Sequence, residues 1–103
     1  LNIPGIREDD SFRTNLVLAN ATEGAVEVDV AFVDPGGATL ATRRLALSPL
    51  GMTQATRVAR SMGVAGNAGG RLVLSTPNRG GAFAAYAALI DAGTGDPRTL
   101  LPR

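Results

Sequence analysis

The sequence predicts an all-β fold, an antiparallel sandwich or barrel of six or seven short strands. Three observations predict it. Short runs of strand-forming residues alternate apolar and polar with a period of two, most clearly in AVEVDVAFVD. Clusters of Gly, Pro, Asn and Asp separate these runs at the spacing expected of a sandwich. No long helical pattern lies between them, which argues against a parallel α/β sheet.

Residues 1–10, LNIPGIREDD, read as an N-terminal extended arm ending in acids, because Pro4 and Gly5 oppose a helix. In FRTNLVLAN, Phe12, Thr14, Leu16 and Leu18 fall on one face of a strand. Asn20 to Gly24 is a turn cluster. Val26, Val28, Val30 and Phe32 then alternate with Glu27, Asp29, Ala31 and Val33, so the acids face outward from a half-buried strand. Asp34-Pro-Gly-Gly37 is a tight turn: Pro35 presets φ and a glycine supplies a positive one. The following run pairs back as a hairpin, with Leu45 and Leu47 alternating, and Gly51 to Gln54 reads as a further short strand.

One short helix is expected over about residues 57–62. Thr56 is placed as its N-cap and Gly63 as its C′ residue. Ala55, Val58, Ala59 and Met62 share its apolar face, and a helix this short holds only when packed on a sheet. Gly66 to Gly70 reads as loop, Arg71 to Ser75 as strand and Pro77 to Gly81 as turn. The alanine-rich run Ala82 to Ile90 favours helix by propensity. Both of its alternating residue sets are apolar, however, and a helix apolar all round needs burial that so small a domain cannot give. The run is therefore expected to be a central strand, whose alanines let another layer or a neighbouring copy approach closely. Gly93 to Pro97 is then the turn into a C-terminal extended segment, 97–103.

The 103 residues make one domain, 1–103, with a single core. The aromatic residues are only Phe12, Phe32, Phe83 and Tyr86, so that core is built mainly from Val, Leu, Ile and Ala. The formal charge is +1 and the arginines are scattered, which gives no field for nucleic acid. The longest apolar run, Ala82 to Ile90, is nine residues, so no membrane insertion is expected. No signal peptide is visible, and a start at Leu1 rather than Met reads as a processed form or an excised fragment.

The chain has no Cys, His or Lys, and every basic residue is Arg. Disulfides, Cys/His zinc sites, Ser–His–Asp and Cys–His chemistry, Schiff bases and a P-loop lysine are excluded. The remaining acids, Glu8, Asp9 and Asp10 with Asp91 or Asp96, could supply calcium oxygens, but no D-x-D-x-D-G pattern is present, and a solvated acidic loop is the expectation. No catalytic, cofactor-binding or metal-binding residue is assigned. The glycine-rich stretch Gly63 to Gly70 lacks the residues of a phosphate loop and reads as a turn. Asn20-Ala-Thr22 matches an N-glycosylation sequon, which is attributed to chance in a composition of high-GC bacterial type.

From Phe12-Arg-Thr-Asn-Leu-Val-Leu-Ala-Asn20 onward the chain resembles an uncharacterised module recurring in bacterial secreted and surface proteins. The matching pieces follow in order as Val26 to Phe32, Asp34 to Gly37, Leu47 to Gln54, Val58 to Gly63, and Tyr86 to Pro97. The chain departs at Leu50, where that module often carries Pro or Gly, and at Thr56, where Asn or Asp commonly caps the helix. The resemblance implies an immunoglobulin-like antiparallel β-sandwich of about seven strands, an extracellular or cell-surface location and no catalytic residues.

Two functions from different classes follow. The first is a non-catalytic structural or interaction module that associates with copies of itself or with neighbouring β-sandwich domains. A terminal arm would add a strand to the next copy head to tail, giving a filament or tandem array. Leu1, Ile3, Ile6, Leu100 and Leu101 are the apolar arm residues assigned to this contact. The alternative is a carbohydrate- or ligand-binding accessory module of a larger secreted protein, with Tyr86 as its platform.

Overall fold

The computed structural model describes residues 1–64 and 68–103. It holds eight strands: β1 (Asn2–Glu8), β2 (Phe12–Asn20), β3 (Val26–Val33), β4 (Thr39–Leu47), β5 (Met52–Ala55), β6 (Ala68–Ser75), β7 (Phe83–Asp91) and β8 (Pro97–Leu100). One short helix, α1 (Val58–Ser61), lies between β5 and β6. All pairings are antiparallel, in two four-stranded sheets ordered β1-β6-β3-β4 and β5-β2-β7-β8. The fold is therefore an antiparallel β-sandwich, compatible with an immunoglobulin-like core. Its central pairs, β2 with β5 and β3 with β6, correspond to strands B with E and C with F of that fold. The strands beyond them, β1 beside β6 and β7 beside β2, lie in the opposite sheets to strands A and G there.

The alternation read from the sequence sets the core. Val26, Val28, Val30 and Phe32 point inward from β3, Leu16 and Leu18 from β2, and Leu72 and Leu74 from β6. Ile3 and Ile6 of β1 complete this cluster, and Val58 and Ala59 of α1 close one end of it. The alanine-rich run is strand β7, with Ala85 and Ala87 in the core opposite Leu18 and Leu16. No helix among the described residues is long and apolar enough to cross a membrane.

Turn chemistry fixes the register. The Gly37 amide donates to the Asp34 carbonyl at 3.0 Å, and Gly37 takes a φ of 91°, which supplies the positive φ expected in this turn. At the β7–β8 turn the Gly93 and Thr94 amides donate to Asp91 Oδ1, while Gly95 takes the positive φ, 77°. Gly93 does not. Its role is steric, since a Cβ there would press on Asp91 Oδ1 at 3.3 Å.

Three expectations are corrected. Both terminal segments contain strands, which raises the count from about seven to eight. Ala68, Gly69 and Gly70 belong to β6 rather than to a loop, because β1 pairs with them. Glycine is needed at 70 because a Cβ would collide with the Val33 carbonyl oxygen. The rest of that expected loop, residues 65–67, lies outside the described residues. Finally, α1 is not capped by Thr56. Arg57 occupies the N-cap in a left-handed conformation (φ 49°), with no side-chain capping bond of its own. The helix end follows expectation: Gly63 donates to Arg60 O and Val64 to Ala59 O, the two bonds of a Schellman motif.

Candidate interaction surfaces

The polar residues that drew attention in the sequence are mostly committed to holding the fold. Glu8, at the end of β1, is buried, and its carboxylate accepts from the Ala59 amide (2.7 Å) and the Arg60 amide (3.1 Å). It is the N-terminal cap of α1, supplied from a different sheet element. Asp9 Oδ1 accepts from the Ser11 and Phe12 amides and its Oδ2 from Arg7 Nε, so it shapes the β1–β2 turn. The Arg7 bond is the main cause that lowers the Asp9 carboxyl below the ordinary carboxylate value, with the Ser11 amide next. Glu8, Asp9 and Asp10 share a cleft of about 300 Å³ with Arg13, Arg57 and Arg60. A cation there would face three guanidinium groups. Among the described residues no group of three or more acidic side chains is placed to hold a metal ion together.

Asn20 is also buried and fully used. Its Nδ2 donates to Gly24 O (2.8 Å) and Ser48 O (3.0 Å), and its Oδ1 accepts from the Thr22 amide and hydroxyl. A glycan on Nδ2 would replace one of its two donor hydrogens, so the amide could not keep both bonds, and the sequon geometry serves the β2–β3 turn.

The arm residues separate into two groups. Ile3 and Ile6 are buried in the chain's own core, where β1 pairs along β6. Leu100 packs partly on that core and approaches the β1 bulge at Gly5. Leu1 and Leu101 are exposed, at 52% and 64%. The two ends of the chain meet, since the Arg103 amide donates to Asn2 O at 2.7 Å. β1 and β8 are each the outermost strand of a sheet. Of the other two edges, β5 is short, and β4 carries Arg43 on its inward-facing side, where Nη1 donates to Ser61 O. An inward charge of this kind discourages pairing along an edge.

The outer faces of the two sheets differ. On β3 and β4, Glu27 and Asp29 face outward beside Arg44, which bonds Asp29 through Nε (2.7 Å) and Nη2 (3.1 Å). Arg44 is the main cause that lowers the Asp29 carboxyl below its ordinary range.

The outer face of the β5-β2-β7-β8 sheet has no such pairs. Register places Met52, Ala19 and Ala84 in one row, and Gln54, Val17 and Tyr86 in the next. Asn15, Ala88 and Thr99 form a third row, and Arg13, Ile90 and Pro97 a fourth. Asn15 is buried and its Oδ1 accepts from the Arg57 amide at 3.1 Å, and Arg57 lines the same cleft as Arg13, so the charge on this face lies at one end. Tyr86 is 41% exposed and Met52 70%. Together with Val17, Thr53 and Gln54 they line a shallow depression of about 230 Å³. The alternating pattern of 82–90 made this face legible in the sequence. β5, read as a short strand over Gly51 to Gln54, has too few residues for its pattern to show which side faces outward.

No protein family, no curated protein and no solved structure matches this chain.

Proposed function

We propose that this chain is a non-catalytic extracellular structural or interaction module of the kind that recurs in bacterial surface proteins. It associates with copies of itself or with neighbouring β-sandwich domains by strand addition through a terminal arm. The observation that carries this reading is the placement of β1, the first strand described, at the edge of its sheet. It is joined to the body by a turn of three residues, Asp9 to Ser11, in which Asp9 Oδ1 accepts from the Ser11 and Phe12 amides and the Asp9 amide donates to Phe12 O. Opening that turn frees an edge strand from its sheet and carries it to the vacated slot of the next copy. Burial of Ile3 and Ile6 in that slot, worth roughly 1.5–3 kcal/mol each, makes the exchanged contact as strong as the closed one. Repeated head to tail, the exchange gives a filament or array. Deleting residues 1–6 is the test. The shortened chain should lose assembly, and assembly equal to the parent's would rule out arm exchange.

A second reading rests on the exposed Tyr86, whose ring stands on an open sheet face as a glycan-stacking platform would. A glycan-array signal lost on Tyr86→Ala would favour a carbohydrate-binding accessory module.

A further inference from the structure

We propose that residues 101–103, the segment after β8, latch the N-terminal arm into its own sheet by covering the outer edge of β1. Given the arm-exchange reading above, on which this role rests, the arm leaves its sheet only when the segment lifts.

The backbone of β1 shows which of its groups are open. Leu1 and Leu74 exchange both hydrogen bonds: the Leu1 nitrogen donates to Leu74 O at 2.7 Å, and the Leu74 amide donates to Leu1 O at 2.8 Å. In an antiparallel ladder such pairs alternate with pairs that make no bond to each other. The next pair, Asn2 with Val73, is of the second kind, so the Asn2 carbonyl points away from β6 toward the free edge of the sheet. That carbonyl is the one to which the Arg103 amide donates, at 2.7 Å. Pro4, the next residue of β1 to face the edge, has no amide hydrogen to offer a neighbour. The edge is thus blunted twice, by an acceptor taken from within the chain and by a missing donor.

Side chains extend the contact. Leu100, the last residue of β8, is half-buried against the core. It lies over the β1 bulge at Gly5, where a Cβ would stand 3.6 Å from Leu100 Cδ2. Pro102 is half-buried, while Leu101 and Arg103 on either side of it are exposed, so the segment follows the surface with one residue turned in. β1 and β8 are outer strands of opposite sheets, and this contact joins the two sheets where they would otherwise gape. The latch acts on the N-terminal half of β1, Asn2 to Gly5. The other half is held separately, by the two-way bond between the Thr14 hydroxyl and the Arg7 backbone and by the Glu8 cap. Lifting the segment therefore loosens the tip of the arm and leaves the core intact.

Hydrogen exchange at micromolar concentration, comparing the full chain with one lacking residues 101–103, tests the latch without requiring assembly. The Ile3 amide, which faces β6, should exchange roughly fivefold faster in the shortened chain, the share of one net hydrogen bond. Leu100→Ala in the full chain should speed the same amide. The Val28 and Val30 amides of the central strand β3 should exchange as in the parent. Sedimentation velocity then reads the consequence: the shortened chain should associate at lower concentration than the parent. An Ile3 amide equally protected in both chains, or faster exchange shared equally by Val28 and Val30, would overturn the latch. Faster Ile3 exchange in a shortened chain that stays monomeric would uphold the latch and overturn arm exchange instead, so the two failures are distinguishable.

Discussion

Glu8 caps the helix from across the fold: its Oε2 lies 2.7 Å from the Ala59 amide nitrogen, fifty-one positions along the chain. The same carboxylate reaches the Arg60 amide, so one buried side chain satisfies two of the helix's orphan donors. Glu8→Ala leaves both amides unpaired and should cost about 2–3 kcal/mol in urea unfolding. Glu8→Gln keeps one acceptor and should cost less, about 1 kcal/mol. Equal stability of the alanine variant and the parent would contradict the capping role. The link also couples β1 to α1, so a β1 strand that exchanges between copies carries the helix cap with it.

Asn20 gives a sharper chemical test. Its amide donates twice and accepts twice within a buried turn. Asn20→Ala should destabilise by about 2–3 kcal/mol. Asn20→Asp, nearly identical in shape, should be at least as damaging, because an acceptor oxygen then faces the Gly24 and Ser48 carbonyls. Thermal unfolding checks the order. A mild aspartate variant would contradict the donor assignment.

Leu50 holds a φ of 54° with its side chain 64% exposed. A left-handed backbone costs a side-chain-bearing residue roughly 1–2 kcal/mol, partly offset in glycine by its greater loss of chain entropy. Leu50→Gly should therefore raise stability by roughly 0.5–1 kcal/mol. A fall in the unfolding midpoint would show that the exposed leucine contributes packing the structure does not reveal.

Acid should weaken the fold through Asp9 and Asp29. Arg7 and Arg44 hold their folded-state pKa values below the ordinary carboxylate value of about 3.9. The stabilisation they provide is complete above the unfolded-state value and is lost as pH falls through the lower folded-state values. Stability followed by circular dichroism should be flat from neutral pH to about 5 and decline in more acid buffer. Asp9→Asn and Asp29→Asn should each shallow that decline, and salt should mute the Asp29 share because the pair is exposed. An unchanged acid limb in both variants would contradict this assignment.

What could be read in the sequence was whatever repeats with period two or sits at a turn. The β3 alternation, the Asp34 turn, the Gly63 helix end and the strand character of 82–90 all follow from local chemistry. The cap on α1 was hidden because Glu8 reaches it through tertiary structure, while Thr56 offered the ordinary local signal. The glycines at 69 and 70 looked like loop for a similar reason, since the close approach of Val33 and the pairing with β1 come from distant segments. The open face of β7 was half visible: alternation showed that both sides of the strand are apolar, but which side the sandwich covers depends on pairing with β2.

The central claim is that this chain associates with its own copies, and mass against concentration tests it most directly. Sedimentation equilibrium of the full chain should show a mean mass that climbs above 10.5 kDa as concentration rises. A constant mass of 10.5 kDa from micromolar to millimolar concentration would contradict association between copies through the arm.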